Sequence, residues 1–349
     1  MDNNKIFDSL TLNALDFLDK AVVEIEDSPK YSVINLCAGV EIILKARLFL
    51  EHWTLVLDDP KNADLENFSQ SAFVSISLPK AIERIKKVTT TVISPETQEC
   101  FLKLANHRNK LLHFFHQEYL PKADKKVLNK IIIDTCEVWL HLKRLLLGQW
   151  QNEFREYEEQ FSDLNSRMLR LQAYLKTIFE TIKPEIDKET ENGNPVFKCQ
   201  ICGYDASIID NQTGDLIETR CLVCERNSKF LHVLCPECKS MISVFDMGEV
   251  FCEKCEFKAD INYLLSIFGV KENPRESLAE PKHAYCPECE CVEQPTVVPY
   301  RDKYLCLNCL AIFDTTTNCE WCGELNGGEL EDSFLFGCAY CDGRVSVGD

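Results

Sequence analysis

The chain has 349 residues and a formal net charge of −18, with 38 Lys and Arg against 56 Asp and Glu. That length accommodates two or more domains, at least one with a substantial core, while the acidity argues against a general phosphate-binding surface. The first residues, Met1-Asp2-Asn3-Asn4-Lys5-Ile6, form neither a basic nor an apolar leader, and no segment offers 18 uncharged apolar residues, so the sequence reads as soluble and cytoplasmic, without a membrane partner.

Cysteine divides the chain: three fall in residues 1–198 and seventeen in the remainder. Charge divides it similarly, with net −5 over residues 1–195 and −13 over 196–349. In a reducing compartment, dense cysteines signal metal rather than disulfides.

The first half has helical periodicity. Ile6, Phe7, Leu10, Ala14, Phe17, Leu18, Ala21, Val22 and Ile25 recur near the period of 3.6 and predict a helix closed by Asp27-Ser28-Pro29. From Ser32 to about His52 the apolar residues occupy more than one side, which marks a central buried helix, and Glu41 and Lys45 form an acid-first pair four apart. Residues 58–78 are polar, with a short extended candidate at Phe73–Ser77, and read as a loop or short hairpin. Pro79 starts a helix over Lys80–Val88, and Ser94-Pro95-Glu96-Thr97 caps the next one. Another helix is expected over Lys125–Leu147, interrupted by Gly148. Residues 150–183 are helical but charge-rich, and their stripe from Phe154 to Ile178 predicts a strut or partner helix outside the main core. A linker is expected over 188–195. Cys37, Cys100 and Cys136 lie on helical faces and read as small core residues.

The capped helix carries Leu102-Lys103-Leu104-Ala105-Asn106-His107-Arg108-Asn109-Lys110-Leu111-Leu112-His113-Phe114-Phe115-His116. Asn109, His113 and His116 share a polar stripe, because residues four and seven apart return to one helix face. Arg108 falls instead among Phe101, Leu104, Leu111, Leu112 and Phe115, where a guanidinium needs a partner. A bend in the helix, or a second surface meeting that face, is expected.

The second half is a register of Cys-x-x-Cys pairs: Cys199/Cys202, Cys221/Cys224, Cys235/Cys238, Cys252/Cys255, Cys286/Cys289, Cys306/Cys309, Cys319/Cys322 and Cys338/Cys341. Sixteen thiolates supply four tetrahedral Zn2+ sites of four cysteines each, and complete quartets mark structural rather than catalytic metal. The 18, 13, 16 and 15 residues between successive mates leave room for a strand, turn and strand. The repeat resembles tandem zinc ribbons, and a cross-brace joining alternate pairs is the other arrangement it permits. Cys291 is left over as a spare thiol or substitute ligand. His232 and His283 lie beside complete quartets and are expected to be supporting or surface residues. Four zinc–thiolate sites add about eight negative charges, so protein recognition, assembly or sensing of a trigger suits this half better than nucleic-acid binding. Tyr204, Trp321 and Tyr340 could stack on bases, though ribbon packing explains them equally.

Arg108-Asn109-Lys110-Leu111-Leu112-His113 resembles the Arg-x4-His signature of HEPN-domain ribonucleases, including the polar residue after the arginine, and Gly39-Val40-Glu41-Ile42-Ile43-Leu44-Lys45-Ala46 is similar to the second helix of many HEPN proteins. The resemblance covers roughly residues 5–148. It implies an all-α N-terminal helical bundle over 1–148, followed on the chain's own pattern by a helical extension and linker over 149–195 and a C-terminal array of small β zinc ribbons, two in 196–273 and two in 274–349. It also implies a metal-independent endoribonuclease acting as a homodimer or higher homo-oligomer, with RNA as substrate and 2′,3′-cyclic phosphate and 5′-hydroxyl products. In that reading His113 is the base for a ribose 2′-hydroxyl, Arg108 stabilises the attacked phosphate, Asn109 orients either, and His116 is a candidate second acid or base. The zinc-ribbon half would sense a trigger or control assembly, as in toxin-like and antiphage defence proteins. The alternatives are a non-catalytic HEPN-like and zinc-ribbon scaffold that binds protein or nucleic acid, and a transcription or translation accessory protein whose ribbons bind nucleic acid. No metalloprotease or deaminase zinc motif and no Gly-rich phosphate loop is present.

Overall fold

Proline and small polar residues set where the helices begin. In the computed structural model, which describes residues 2–113, 125–245, 250–269, 283–289 and 294–344, Asp2 caps α1 (Asn3–Val23) by accepting from the backbone N–H of Lys5, and Pro29 opens α2 (Pro29–Glu51). The side chains of His113 and of residues 125–128 are not among those described. A short α3 (Leu65–Ser69) follows, then α4 (Leu78–Val88) with Pro79 in its first turn and α5 (Pro95–His113), whose Thr97 N–H donates to the Ser94 hydroxyl at 3.2 Å. After α6 (Lys125–Arg144) come α7 (Glu158–Met168) and α8 (Gln172–Glu191). The expected hairpin in 58–78 is a single bridge between Leu57 and Ser75 beside α3. Phe68 of α3 packs on Phe49, Trp53 and Phe73.

The chain divides into two compact units between Glu185 and Ile186. In the first, α2 is central and packs against α1, α4, α5 and α6. Its buried positions include Val33, Leu36, Val40, Ile43, Leu44 and Leu48, which fits a sequence apolar on several sides. Gly39 lies where Leu18 of α1 crosses; a Cβ there would meet Leu18 Cδ2 at 2.6 Å, so the close approach requires glycine.

Residues 149–185 are not an external strut. A π-turn over Leu145–Gln149 contains Gly148, and the Trp150 indole N–H then donates to the Thr91 hydroxyl at 2.7 Å. Phe154, Tyr157, Phe161, Leu164 and Met168 are buried, and α7 packs on α1. The helix breaks around Leu169–Leu171, and beyond the break Tyr174, Leu175 and Ile178 of α8 are buried as well. α8 continues through Pro184 to Glu191, shortening the expected linker.

The second unit is built of small antiparallel sheets around cysteine clusters. A five-stranded sheet runs in the order β1 (Val196–Lys198), β2 (Asp205–Thr213), β3 (Leu216–Cys221), β4 (Asn227–Leu234) and β5 (Met241–Val244). Strand β4 joins Cys224 to Cys235, so the first two cysteine quartets share one sheet. The pair β6 (Val250–Phe251) and β7 (Lys258–Ala259) precedes α9 (Ile261–Phe268). A three-stranded sheet follows, with β8 (Val297–Tyr300) and β10 (Ile312–Phe313) flanking β9 (Lys303–Cys306). The last elements are β11 (Thr316–Asn318), β12 (Leu325–Gly327) and the one-turn α10 (Ser333–Phe336).

These ribbons are not independent beads. Leu216, Leu231, Val244, Val250 and Leu264 share one core with Val298, Leu305, Leu307 and Leu310, and so cross the expected division near residue 273. Tyr300 clamps the same junction: its hydroxyl accepts from the N–H groups of Asp215 at 2.8 Å and Leu216 at 3.2 Å, and donates to the Thr213 carbonyl at 2.9 Å.

Candidate metal centres and the α5 surface

The Cys-x-x-Cys turn aims two sulfurs at one point, and the backbone shows how. In six of these turns the N–H of the residue after the second cysteine donates to the carbonyl of the first, as in Gly203 to Cys199 and Glu225 to Cys221. That following residue (Gly203, Glu225, Lys239, Glu256, Leu310 or Gly323) has positive φ in each case, between 58° and 81°. Glycine tolerates this without cost at two positions; elsewhere closure of the turn overrides the preference. The Cys338–Cys341 turn differs: the two cysteines exchange backbone hydrogen bonds, Cys338 N–H to Cys341 at 2.8 Å and the reverse at 3.2 Å.

The turns assemble in sequential mates. Cys199, Cys202, Cys221 and Cys224 form one group; Cys235, Cys238, Cys252 and Cys255 the second; Cys286, Cys289, Cys306 and Cys309 the third; Cys319, Cys322, Cys338 and Cys341 the fourth. This is the ribbon arrangement and not the cross-brace. Within each group the sulfurs all lie within 4.8 Å of one another, with paired separations such as Cys199–Cys224 at 3.6 Å, Cys238–Cys252 at 3.5 Å and Cys289–Cys306 at 3.9 Å. Those separations are too long for a disulfide. Four sulfurs about 2.3 Å from a central ion stand about 3.8 Å apart, so the groups fit a tetrahedral thiophilic cation.

Second partners hold the sulfurs. Cys221 Sγ accepts from the N–H groups of Val223 and Cys224, and Cys306 Sγ from those of Asn308 and Cys309. The hydroxyl of Ser240 approaches Cys252 Sγ at 3.3 Å and brings that thiol down to about 6. Neighbouring Cys286 and Cys309 push the Cys306 thiol down, and the same contact raises Cys286. Such hydrogen bonds favour thiolate, the metal-binding form. Cys291 lies outside the described residues. His232 packs against Phe230 with the rings tilted and their centroids 5.1 Å apart, and burial lowers its pKa; neither it nor His283 belongs to a cysteine group.

The expected core cysteines behave as such. Burial pushes Cys100 and Cys136 up to about 12. Cys37 is also raised by burial, with Arg108 acting in the opposite direction.

On α5, Arg108 meets Glu41 of α2: Nη2 donates to Glu41 Oε2 at 3.4 Å, and Glu41 also accepts from Lys45 at 2.6 Å. The arginine that lacked an evident partner in the sequence therefore has one within the chain, and no bend or second subunit is needed to satisfy it. The Arg108 side chain is 30% exposed, and it also hydrogen-bonds the buried Cys37 thiol.

Position 113 lies elsewhere on the helix, about 140° from Arg108 at 3.6 residues per turn. Asn109 and Lys110 are exposed. Lys86, Gln98, Leu102, Lys103, Asn106 and Lys110 line a concave surface of about 640 Å³, and residues 99, 106, 110 and 113 fall along that side of α5. His107 also lines it; its Nε2 is 3.5 Å from Asp134, which accepts from Lys103 at 2.6 Å. Sequence reasoning missed this Lys103–Asp134–His107 arrangement because Asp134 comes from α6 and nothing local links it to α5. His113 ends α5, and His116 lies outside the described residues.

No described helix is long and apolar enough to cross a membrane. Comparison with protein-family models, curated proteins and solved structures yields no match to the chain.

Proposed function

We propose that the protein is a metal-independent endoribonuclease of HEPN type whose second unit is an array of four structural zinc ribbons serving as a sensing or assembly module. The observation that carries the first part is α5 itself. It sets a partly exposed arginine against α2 and, on another side, a concavity lined by Lys86, Lys103 and Lys110 together with Glu99, on the side of the helix where position 113 falls.

The chemistry needs no metal. His113, neutral near pH 7, takes the proton of a ribose 2′-hydroxyl; the 2′-oxygen attacks the adjacent phosphorus; the bond to the 5′-oxygen breaks, and a protonated acid, for which His116 is the candidate, returns a proton to it. Arg108 stabilises the charge on the attacked phosphate, with Asn109 orienting it. Because Arg108 and His113 diverge on one helix, the reading requires two chains whose α5 helices face one cleft. In the ribbons, bound Zn2+ supplies folding energy, since closed four-thiolate sites leave no open position.

The test incubates single-stranded RNA with the protein in EDTA and analyses the new ends. Cleavage to 2′,3′-cyclic phosphates, lost in His113→Ala and Arg108→Ala, supports the reading; equal cleavage in both variants overturns it. A non-catalytic helical scaffold is the second reading, favoured by one observation: the Glu41 contact could make Arg108 a purely structural residue. RNA left intact by a folded, zinc-loaded dimer would support it.

A further inference from the structure

The last ribbon displays five large apolar side chains, four of them aromatic, where the earlier ribbons expose scattered ones such as Ile201, Leu234, Met241 and Phe251. Phe336 is 69% exposed, Tyr340 50% and Trp321 40%, with Phe334 and Leu335 also exposed. They surround one cysteine group. Trp321 sits inside the Cys319–Cys322 turn and Tyr340 inside the Cys338–Cys341 turn, while α10 supplies the other three. The helix is fastened beside the first turn, because the Ser333 hydroxyl accepts from the Glu320 N–H at 3.1 Å. Trp321 and Phe334 then meet edge to face at 5.3 Å. Single exposed apolar residues are ordinary, but five gathered around one small motif mark an interaction surface. Trp and Tyr are the side chains that most often anchor interfaces.

The rim identifies the occupant. Glu320, Glu324, Glu329, Glu331, Asp332 and Asp342 are all exposed, and Arg344 is the one cation between residues 314 and 344. Arg344 lies over the Phe334 ring at 5.7 Å, which shows how a cation can seat on this surface. A nucleic-acid backbone would be repelled by that rim. A second copy of the same acidic patch would be repelled as well.

We propose that the fourth ribbon is a docking site for a basic, apolar-anchored segment of a partner protein, with Trp321, Phe336 and Tyr340 receiving the anchors and the carboxylate rim its lysines or arginines. This deepens the reading of the ribbons as a protein-facing module and rests on it. It does not depend on RNA cleavage.

The experiment uses the full-length, zinc-loaded chain and three labelled short peptides: Lys and Leu at helical spacing, Glu and Leu in the same pattern, and Lys and Gln in the same pattern. Measured by anisotropy, the Lys-Leu peptide is expected to bind, the other two weakly or not at all. Phe336→Ser and Trp321→Ala should each weaken binding about tenfold or more, the usual effect of removing an interface anchor. Both variants should keep four zinc ions per chain. Equal binding of the Glu-Leu or Lys-Gln peptide, no binding of the Lys-Leu peptide, or insensitivity to both substitutions would overturn the proposal. So would an RNA oligonucleotide that competes for the site, or self-association abolished by Phe336→Ser. A chain that holds four zinc ions but ignores the peptides overturns the docking site alone; a shortfall in zinc overturns the ribbon reading beneath it.

Discussion

Arg108 of α5 and Glu41 of α2 form an ion pair at 3.4 Å, and Lys45 binds the same carboxylate at 2.6 Å, with the Lys45 side chain only 13% exposed. One acid thus balances two cations where α2 meets α5. Glu41→Gln would leave both cations without their charge partner, and should lower the stability of the helical unit by about 1 kcal/mol in urea unfolding, more than an exposed pair would. Lys45→Met, which removes one cation and keeps the Arg108 contact, should cost less.

Gly39 and Leu18 set how closely α1 and α2 pack. The new methyl of Gly39→Ala would lie 2.6 Å from Leu18 Cδ2, and Leu18 is fully buried. Overpacking of this kind costs about 1–3 kcal/mol. A double variant with Leu18→Val should recover part of that loss in thermal melting; full stability of the single variant would show that the helices can separate freely.

Much of this architecture is legible in the sequence. Pro79 and the Ser94 cap mark helix starts within a residue or two, because those signals act locally, whereas Pro29, expected only to close the first helix, opens the second. The Cys-x-x-Cys turns follow from spacing, as one short turn recurs, but the choice of sequential mates over a cross-brace does not. What stays hidden is long-range. Charge density made residues 154–178 look external, yet a break near Leu169–Leu171 lets both segments fold inward. Tyr300 reaches the Thr213–Leu216 turn across more than eighty residues, and no periodicity announces it. Glu41 as the partner of Arg108 is hidden for the same reason, because a short-range reading assigns it to Lys45.

Removing the metal should separate the two units experimentally. Prolonged dialysis against a strong chelator is expected to release four zinc ions per chain and abolish the β signal while the helical signal persists, because small ribbons fold with their metal. Cys306→Ser, in a group held by two backbone N–H donors, should lower the zinc content to three. Cys291→Ser should leave it at four, since the third group is complete without Cys291.

His141 of α6 couples the helical unit to pH. Its Nδ1 is 2.9 Å from the Thr97 hydroxyl at the start of α5, and burial, reinforced by Arg144, holds its pKa below the ordinary value of 6.5. The unfolded chain therefore binds this proton more readily than the folded one. The contribution of His141 is fully present above pH 6.5 and drains away as the pH falls through that value toward the depressed folded one. His141→Gln should show a smaller loss of stability than the parent between neutral pH and pH 5.5 in matched unfolding curves; parallel losses would remove His141 as the cause.

The central claim is that α5 helices of two chains together make one RNA-cleaving cleft. An equimolar mixture of Arg108→Ala and His113→Ala chains, refolded together and assayed on single-stranded RNA in EDTA, tests it most directly. Each variant alone is expected to be inactive, whereas the mixture should regain roughly a quarter of parental cleavage, because random pairing puts one intact composite site in half of the symmetric dimers. An active parent whose variants stay dead in the mixture would contradict the two-chain site, and a parent that leaves RNA intact would contradict the ribonuclease itself.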